Sequence, residues 1–247
     1  MRSSYGRRND PEVSMPDMPT PSLERLGAAS GVLAVALLVV LLMVFPAPPA
    51  ADEEIADIAR AVAADELLLR IGDYVGVLMG GGWLLFGIAV AARLRRAEPA
   101  GGAWWIVALA GITASTAVGL VGNVLGIMFV RAVGHGLTGD ALWTIYSGDL
   151  VGFVQGIPLA IFMLGAGLGT RSTGVFPRWT GVVALTVVPL LVVGVGSIAG
   201  REVDGGAFVF PLMLAYVAMI VWTLAVCVAL WRQHPAAHRT EPAASPA

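Results

Sequence analysis

Lysine is absent from this chain of 247 residues, and only 13% of the residues are charged. Soluble domains carry about 25% charged residues, whereas apolar residues make up 57% of this chain. That leaves too little polar surface to coat a soluble globule. The net charge of −2 gives no basic surface for a phosphate backbone, so no nucleic-acid partner is expected.

Further absences exclude the common kinds of catalytic or cofactor site. A chain without Lys has no phosphate-binding loop of the Gly-rich type, and the single Cys227 excludes a disulfide within the chain. His135, His234 and His238 lie outside the long apolar runs, where a membrane haem would need its axial ligands. Neither a His-Glu-x-x-His zinc motif nor a Gly-x-Ser-x-Gly elbow occurs. We therefore expect no cofactor, no metal and no catalytic residue.

Six long stretches contain no Asp, Glu, Lys or Arg. They are Leu26–Ala51, Tyr74–Ala92, Pro99–Val130, Leu150–Thr170, Trp179–Gly200 and Gly205–Trp231. Each is long enough to cross a hydrocarbon core about 30 Å thick, which takes roughly 20 helical residues. The sequence therefore predicts an all-α, polytopic membrane protein with six transmembrane helices in the lipid bilayer.

The arginines predict the orientation of this bundle. Eleven fall in the tails and loops of one side, and the other side has four: Arg60, Arg70, Arg131 and Arg201. Short cytoplasmic loops retain the excess of basic residues, so both termini are predicted to be cytoplasmic. The exclusive use of Arg, with abundant Ala, Gly and Val, is typical of GC-rich bacteria and suggests the bacterial inner (plasma) membrane.

The two ends of the chain differ from its middle in composition. Residues 1–25 are rich in Pro, Ser, Asp and Arg, and residues 232–247 are rich in Pro and Ala. Such segments bury too little apolar surface to fold, so both are predicted to be disordered cytoplasmic tails. The transmembrane domain is predicted to span residues 26–231.

The first outer loop has the pattern of an amphipathic helix near residues 52–70. Ile55, Ile58, Val62 and Leu69 share one helical face, and the acidic residues fall mostly elsewhere. Such a helix lies on a membrane surface or against the bundle. Two interpretations remain open, a connector into the second span and a lid over an outward-facing cavity.

An internal repeat with an offset of 76 residues relates the second and fourth spans. Gly72–Gly76 and Gly148–Gly152 share the pattern Gly-Asp-x-Val-Gly, and Gly80 matches Gly156. Spans two and three are therefore predicted to be duplicated as spans four and five, in parallel orientation because an even number of spans separates them. The alternative is chance similarity between helices rich in Gly, Val and Leu.

The shared pattern places an aspartate and two glycines on one helical stripe in each copy: Asp73, Gly76 and Gly80, then Asp149, Gly152 and Gly156. Glycines four residues apart let a neighbouring backbone approach closely, so these four glycines are predicted to pack against other helices. The aspartates have two interpretations. They cap the ends of their helices, or they line an outward-facing polar pocket.

Polar residues of the third span suggest the other members of such a pocket. Thr116 and Asn123 are seven residues apart and face the same way, so the candidate pocket consists of Asp73, Asp149, Asn123 and Thr116. The alternative for Asn123 is a hydrogen bond between helices. Gln155 lies about 120° from the Asp149 stripe and is not predicted to join the pocket.

The chain resembles a family of bacterial six-span membrane proteins, the domain-of-unknown-function 4386 type. The resemblance is carried by a span followed by an acidic outer helical loop, five further spans, and the Phe176-Pro177-Arg178-Trp179-Thr180-Gly181 lead into span five. It covers most of residues 26–231. It implies the topology and no activity.

Three functions fit these observations. The first is a non-enzymatic accessory of envelope or transport complexes, which predicts no water-accessible cavity deeper than the membrane interface. The second is a transporter or channel for a small solute or ion, working as a homo-oligomer or with other membrane subunits; it predicts that Asp73, Asp149 and Asn123 converge on a cavity between spans two, three and four. The third is an enzyme acting on lipid, which no motif supports. The sequence favours the first.

Overall fold

The chain folds into helices throughout the residues described by the computed structural model, which are 20–44, 55–137, 154–195 and 206–232. These helices are α1 (Thr20–Val44), α2 (Ile55–Ala64), α3 (Glu66–Ala97), α4 (Trp104–Gly134), α5 (Gly156–Thr173), α6 (Arg178–Val195) and α7 (Gly206–Arg232). No strand occurs within these ranges, and the predicted all-α class is confirmed for them.

Six of the helices form a closed ring. The order around the ring is α1, α3, α4, α5, α6 and α7, and α7 packs back against α1. Neighbouring helices are antiparallel, as the facing residues of α3 and α4 show. Gly87 lies against Ile112 and Gly76 against Asn123, so residue numbers rise along α4 where they fall along α3. The ring therefore has two distinct ends. One, the Arg end, has Arg93, Arg171 and Arg232 near it, and the opposite one is the Asp73 end.

Five helices are long and apolar enough to cross a membrane. They are α1 from Leu23, α3, α4, α6, and α7 from Phe210. A polytopic membrane protein is thus confirmed at the level of composition and length. The fourth predicted span corresponds to α5, which is not among the five because only 18 residues are helical from Gly156 onward and the last turn is polar. The first residues of that predicted span, 150–153, lie outside the described residues.

The first helix begins earlier than the predicted domain boundary at residue 26. It starts at Thr20, within the segment predicted to be a tail. The reason is an ion-pair cluster at the Arg end: Glu24 is only 7% exposed, and its Oε1 accepts hydrogen bonds from Arg93 Nη1 at 3.0 Å and from Arg96. The cluster ties the start of α1 to the end of α3, so these residues belong to the helical bundle.

The amphipathic helix is shorter than predicted, ending at Ala64, and the next helix starts at Glu66. Ile58 and Val62 are buried, as the pattern predicts, against Phe129 and Val130 near the end of α4. A pair between Glu66 and Arg70, one turn apart, supports the early start of α3. Residues 66–72, predicted to belong to the outer loop and mostly to its amphipathic helix, are therefore the first two turns of α3.

The centre of the ring is filled by aromatic side chains on its Arg-end side. Trp222 of α7 makes edge-to-face contacts with Phe86 of α3 and Phe162 of α5, with ring centroids 5.8 and 5.7 Å apart, and Trp83 packs edge-on against Phe86. Phe86, Phe162 and Trp222 are at most 1% exposed. We call Phe86, Phe162 and Trp222 the aromatic layer, because they close the interior of the ring towards the Arg end.

Candidate functional site: a polar cavity inside the ring

A cavity of about 450 Å³ lies between α1, α3, α4, α5 and α7, on the Asp73 side of the aromatic layer. It is lined by Leu38, Leu42, Asp73, Gly76, Met79, Gly80, Trp83, Ile112, Ser115, Thr116, Gly119, Leu120, Gly122, Asn123, Gln155, Gly156, Leu159, Met213, Tyr216 and Met219. From Ile112 to Asn123 its wall covers twelve residues of α4, a rise of about 16 Å along the helix axis. The cavity is thus a deep cleft within the bundle.

Three of the four predicted pocket residues meet in this cavity. Asp73 lines it from α3, and Asn123 and Thr116 line it from α4. The fourth, Asp149, lies outside the described residues. The helical stripe that the sequence predicts on α4 is also visible, because Thr116 and Asn123 both face inward, whereas the intervening Ala117 and Val121 are exposed on the outer face.

Glycines on the opposing helices make room for the polar side chains. A methyl group at Gly126 would lie 2.9 Å from Asp73 Oδ1, and one at Gly76 would collide with Asn123 Oδ1. On the other side of α4, a methyl group at Gly119 would lie 2.7 Å from Gln155 Nε2. Each of these polar side chains therefore occupies space beside a glycine that the side chain of any other residue would fill.

The polar side chains of the cavity wall differ in their hydrogen bonding. Asn123 Nδ2 donates to the Gly119 carbonyl at 2.9 Å, which fixes the amide so that its Oδ1 faces Gly76. Deeper in the cavity, Thr116 is 5% exposed, and its Oγ1 has no hydrogen-bond partner among the described residues. A buried hydroxyl without a partner costs about 1–3 kcal/mol, so Thr116 is a group that a bound molecule would stabilise.

The capping interpretation does not hold for Asp73. α3 begins at Glu66, so Asp73 lies two turns inside the helix and cannot reach the free N–H groups of the first turn. Arg70, one turn before Asp73 on the same helix, pairs with Glu66. Asp73 is the one acidic residue among the described residues of the cavity wall, and none of that wall is Arg, Lys or His.

The predicted packing glycines have different surroundings. Gly76 accommodates Asn123, and Gly156 is close to α6, where a methyl group would lie 2.5 Å from Val195 Cγ2. Gly80 is different, since a methyl group there would be 3.9 Å from the nearest atom, Thr116 Cγ2. Gly80 therefore widens the cavity instead of bringing two helices together. Gly152 lies outside the described residues, and the duplication stays a prediction.

Gln155 lines the cavity, although its angle from the Asp149 stripe does not predict this position. It directly precedes α5 and lines the cavity from the side opposite Asp73. Its predicted direction depends on the angle between Gln155 and Asp149 on one regular helix. A residue just before a helix, however, can face the interior of the ring independently of the helical face on which later residues lie. The sequence signal for this position is Gly119. Because glycine has no side chain, it leaves room for Gln155 at the contact between α4 and α5.

The amphipathic helix α2 has the position of a connector. Its buried residues, Ile58 and Val62, contact the end of α4, and no residue of α2 is among the described residues that line the cavity. The alternative in which it is a lid over the cavity gains no support from these contacts. Within the described ranges, no group of three His, Cys, Asp or Glu side chains could hold a metal ion.

No protein-family model, no curated protein and no solved structure matches this chain. The resemblance to the domain-of-unknown-function 4386 type therefore stays a prediction.

Proposed function

We propose that this protein is a transporter for a small solute, with six spans, cytoplasmic termini and a binding pocket that opens towards the outer side of a bacterial inner membrane. The proposal gives it no enzymatic activity. The observation that carries it is the cavity, in which Asp73, Asn123, Gln155 and Thr116 converge within a mostly apolar wall.

The depth of the cavity favours this function over an accessory role. An accessory protein was expected to have no cavity deeper than the membrane interface. Thr116 lies twelve residues from the start of α4 and eighteen from its end, or about 18 and 27 Å along the axis. That position is close to the middle of a hydrocarbon core about 30 Å thick.

Energetics support the same choice. A carboxylate within a membrane-spanning bundle is costly, at most about 2.5–3.5 kcal/mol for an Asp at mid-bilayer on insertion scales. The Arg-end half of the ring packs mainly with an aromatic layer and Ala, Leu and Val side chains. A bound solute would offset the cost of the polar groups in the cavity wall.

The two ends of the ring suggest how the solute would cross. The cavity lies towards the Asp73 end, and the aromatic layer and the ion pairs of Glu24 with Arg93 and Arg96 close the Arg end. We interpret this arrangement as an outward-facing state. Transport requires a second state in which the aromatic layer separates and the Asp73 end closes. The described lining residues belong to one chain, so the homo-oligomer predicted from the sequence is not needed to form this wall.

The experiment that tests this function asks whether the cavity can be reached from both sides of the membrane. Cys227 is first replaced by Ala, and a single cysteine is introduced by Thr116→Cys. A membrane-impermeant, positively charged thiosulfonate is added to right-side-out and to inside-out vesicles. Only a hydrated thiol reacts readily, since the thiolate is the nucleophile.

We expect the cysteine at position 116 to react from either side, and faster from the periplasmic side. The matched control is Ala117→Cys, one residue away on the exposed outer face, which should stay unreactive in lipid. Reaction at position 116 from one side only, or from neither, would contradict a transport function.

A further inference from the structure

The charge of the cavity wall has one sign. Asp73 is its one acidic residue, and no Arg, Lys or His accompanies it among the described lining residues. A wall whose one charged residue among those described is acidic favours a cationic ligand over an anionic one.

We propose that the pocket binds an organic monocation, with a protonated amine held near Asp73 and Asn123 and an apolar body extending towards Thr116. This inference rests on the proposed function and names the chemical class of its solute. The cavity volume of about 450 Å³ lies within the usual range of about 300–1,000 Å³ for small-molecule pockets.

The Asp73 end of the pocket offers acceptors for the charged head. Asp73 and Gly76 are three residues apart, and Asn123 Oδ1 lies over Gly76. Because Nδ2 of that amide already donates to the Gly119 carbonyl, the oxygen is the atom turned towards α3. A carboxylate and an amide oxygen on adjacent turns suit an ammonium group, which has donors only.

Deeper in the pocket, the lining suits an apolar body. Trp83, Met79 and Met219 line this part; aromatic faces attract a cation or an apolar ring, and methionines adapt to irregular shapes. The Thr116 hydroxyl, which has no partner among the described residues, could bond to a polar group at the far tip of a ligand that is otherwise apolar; the phenyl probes below lack such a group. A divalent metal ion fits less well, because it needs several oxygen ligands around one point.

The test compares three molecules with the same phenyl body and different heads. They are 2-phenylethylammonium, the neutral 2-phenylethanol and the anionic 3-phenylpropionate. Binding to the full chain in lipid nanodiscs is measured by calorimetry, and occupancy of the pocket is measured as protection of Thr116→Cys from the thiosulfonate.

The variant is Asp73→Asn, which removes the charge and keeps the shape of the side chain. A hydrogen bond to a charged group contributes about 1.5–3 kcal/mol, so binding of the cation should weaken roughly tenfold to a hundredfold. Binding of the neutral molecule should change less than about threefold, and the anion should not bind. The matched control is Glu66→Gln, an acidic residue of the same helix that pairs with Arg70 outside the cavity wall, and it should leave cation binding unchanged.

A second variant tests where the molecules bind. Gly80→Leu fills the cavity at a point where a methyl group meets no atom closer than 3.9 Å, and it should abolish binding of the cation and of the neutral molecule together. Equal binding of the cation and the neutral molecule, with no effect of Asp73→Asn, would overturn the monocation and leave the solute pocket standing. Cation binding that survives both Asp73→Asn and Gly80→Leu would overturn the assignment of this site.

Discussion

The contact between α4 and α5 makes a quantitative prediction for Gly111→Ala. The new methyl group would lie 2.7 Å from Phe162 Cα and 2.9 Å from the Ile161 carbonyl carbon. Carbon atoms in contact prefer about 3.5–4.0 Å, so the two helices must separate by about 1 Å. The obstacle is backbone, and no side chain can rotate out of the way. Overpacking of this kind costs about 1–3 kcal/mol, and we expect a value near the upper limit.

The matched control for this prediction is Gly81→Ala on α3, where a methyl group meets nothing within 4 Å. Replacing Gly by Ala in a helix gains up to about 1 kcal/mol, and this gain is common to both variants. The difference between their free energies of unfolding therefore isolates the overpacking, about 3 kcal/mol, with Gly111→Ala the less stable. The assay is reversible unfolding in mixed micelles of increasing dodecyl sulfate content, followed by tryptophan fluorescence. Equal stability of the two variants would refute the close α4–α5 packing.

Three further predictions concern the ends of the ring and its orientation. Glu24→Gln should lower the free energy of unfolding by about 1–3 kcal/mol, because it weakens charge-assisted hydrogen bonds to Arg93. The loss should be smaller, at most about 1 kcal/mol, in a Glu66→Gln control, whose pair with Arg70 is largely exposed; an unchanged unfolding midpoint for Glu24→Gln would contradict the cluster. Trp222→Ala should cost about 3–5 kcal/mol, since its ring is 1% exposed, and a near-normal melting temperature would contradict the aromatic layer. Reporter fusions after Arg232 should be active in the cytoplasm, and a periplasmic signal there would contradict the predicted topology.

Much of the helix order could be predicted from the sequence, because charge cannot be buried cheaply in lipid. The gaps between charged residues correspond to the ring helices, and the 3.6-residue period correctly places Thr116 and Asn123 on one face. Helix ends were less predictable. The charge pattern predicts Asp73 at the end of its helix, yet α3 starts at Glu66. A helix can continue beyond its apolar stretch, because charged residues in water do not end it.

The contacts between helices could not be predicted from one sequence. The rotation of each helix in the ring is set by the fit of its neighbours, so the helical angle of Gln155 does not predict that it faces Gly119. Glu24 looked like part of a polar tail, because its partners, Arg93 and Arg96, are distant in sequence. Charge, the helical period and composition thus predict the helices and their inward faces. The packing between helices decides which residues share a cavity.

The most direct test of the central claim, that polar side chains meet in a water-filled cavity inside the ring, is the relative thiol reactivity of two adjacent positions. In the Cys227→Ala background, Asn123→Cys places a thiol in the cavity wall and Val124→Cys places one on the outer face, where the side chain is 53% exposed. Both lie at the same depth in the membrane, within one residue along α4. We predict that a charged, water-soluble thiosulfonate modifies position 123 at least tenfold faster, because only the cavity holds water at that depth. Equal rates, or faster reaction at position 124, would contradict the account.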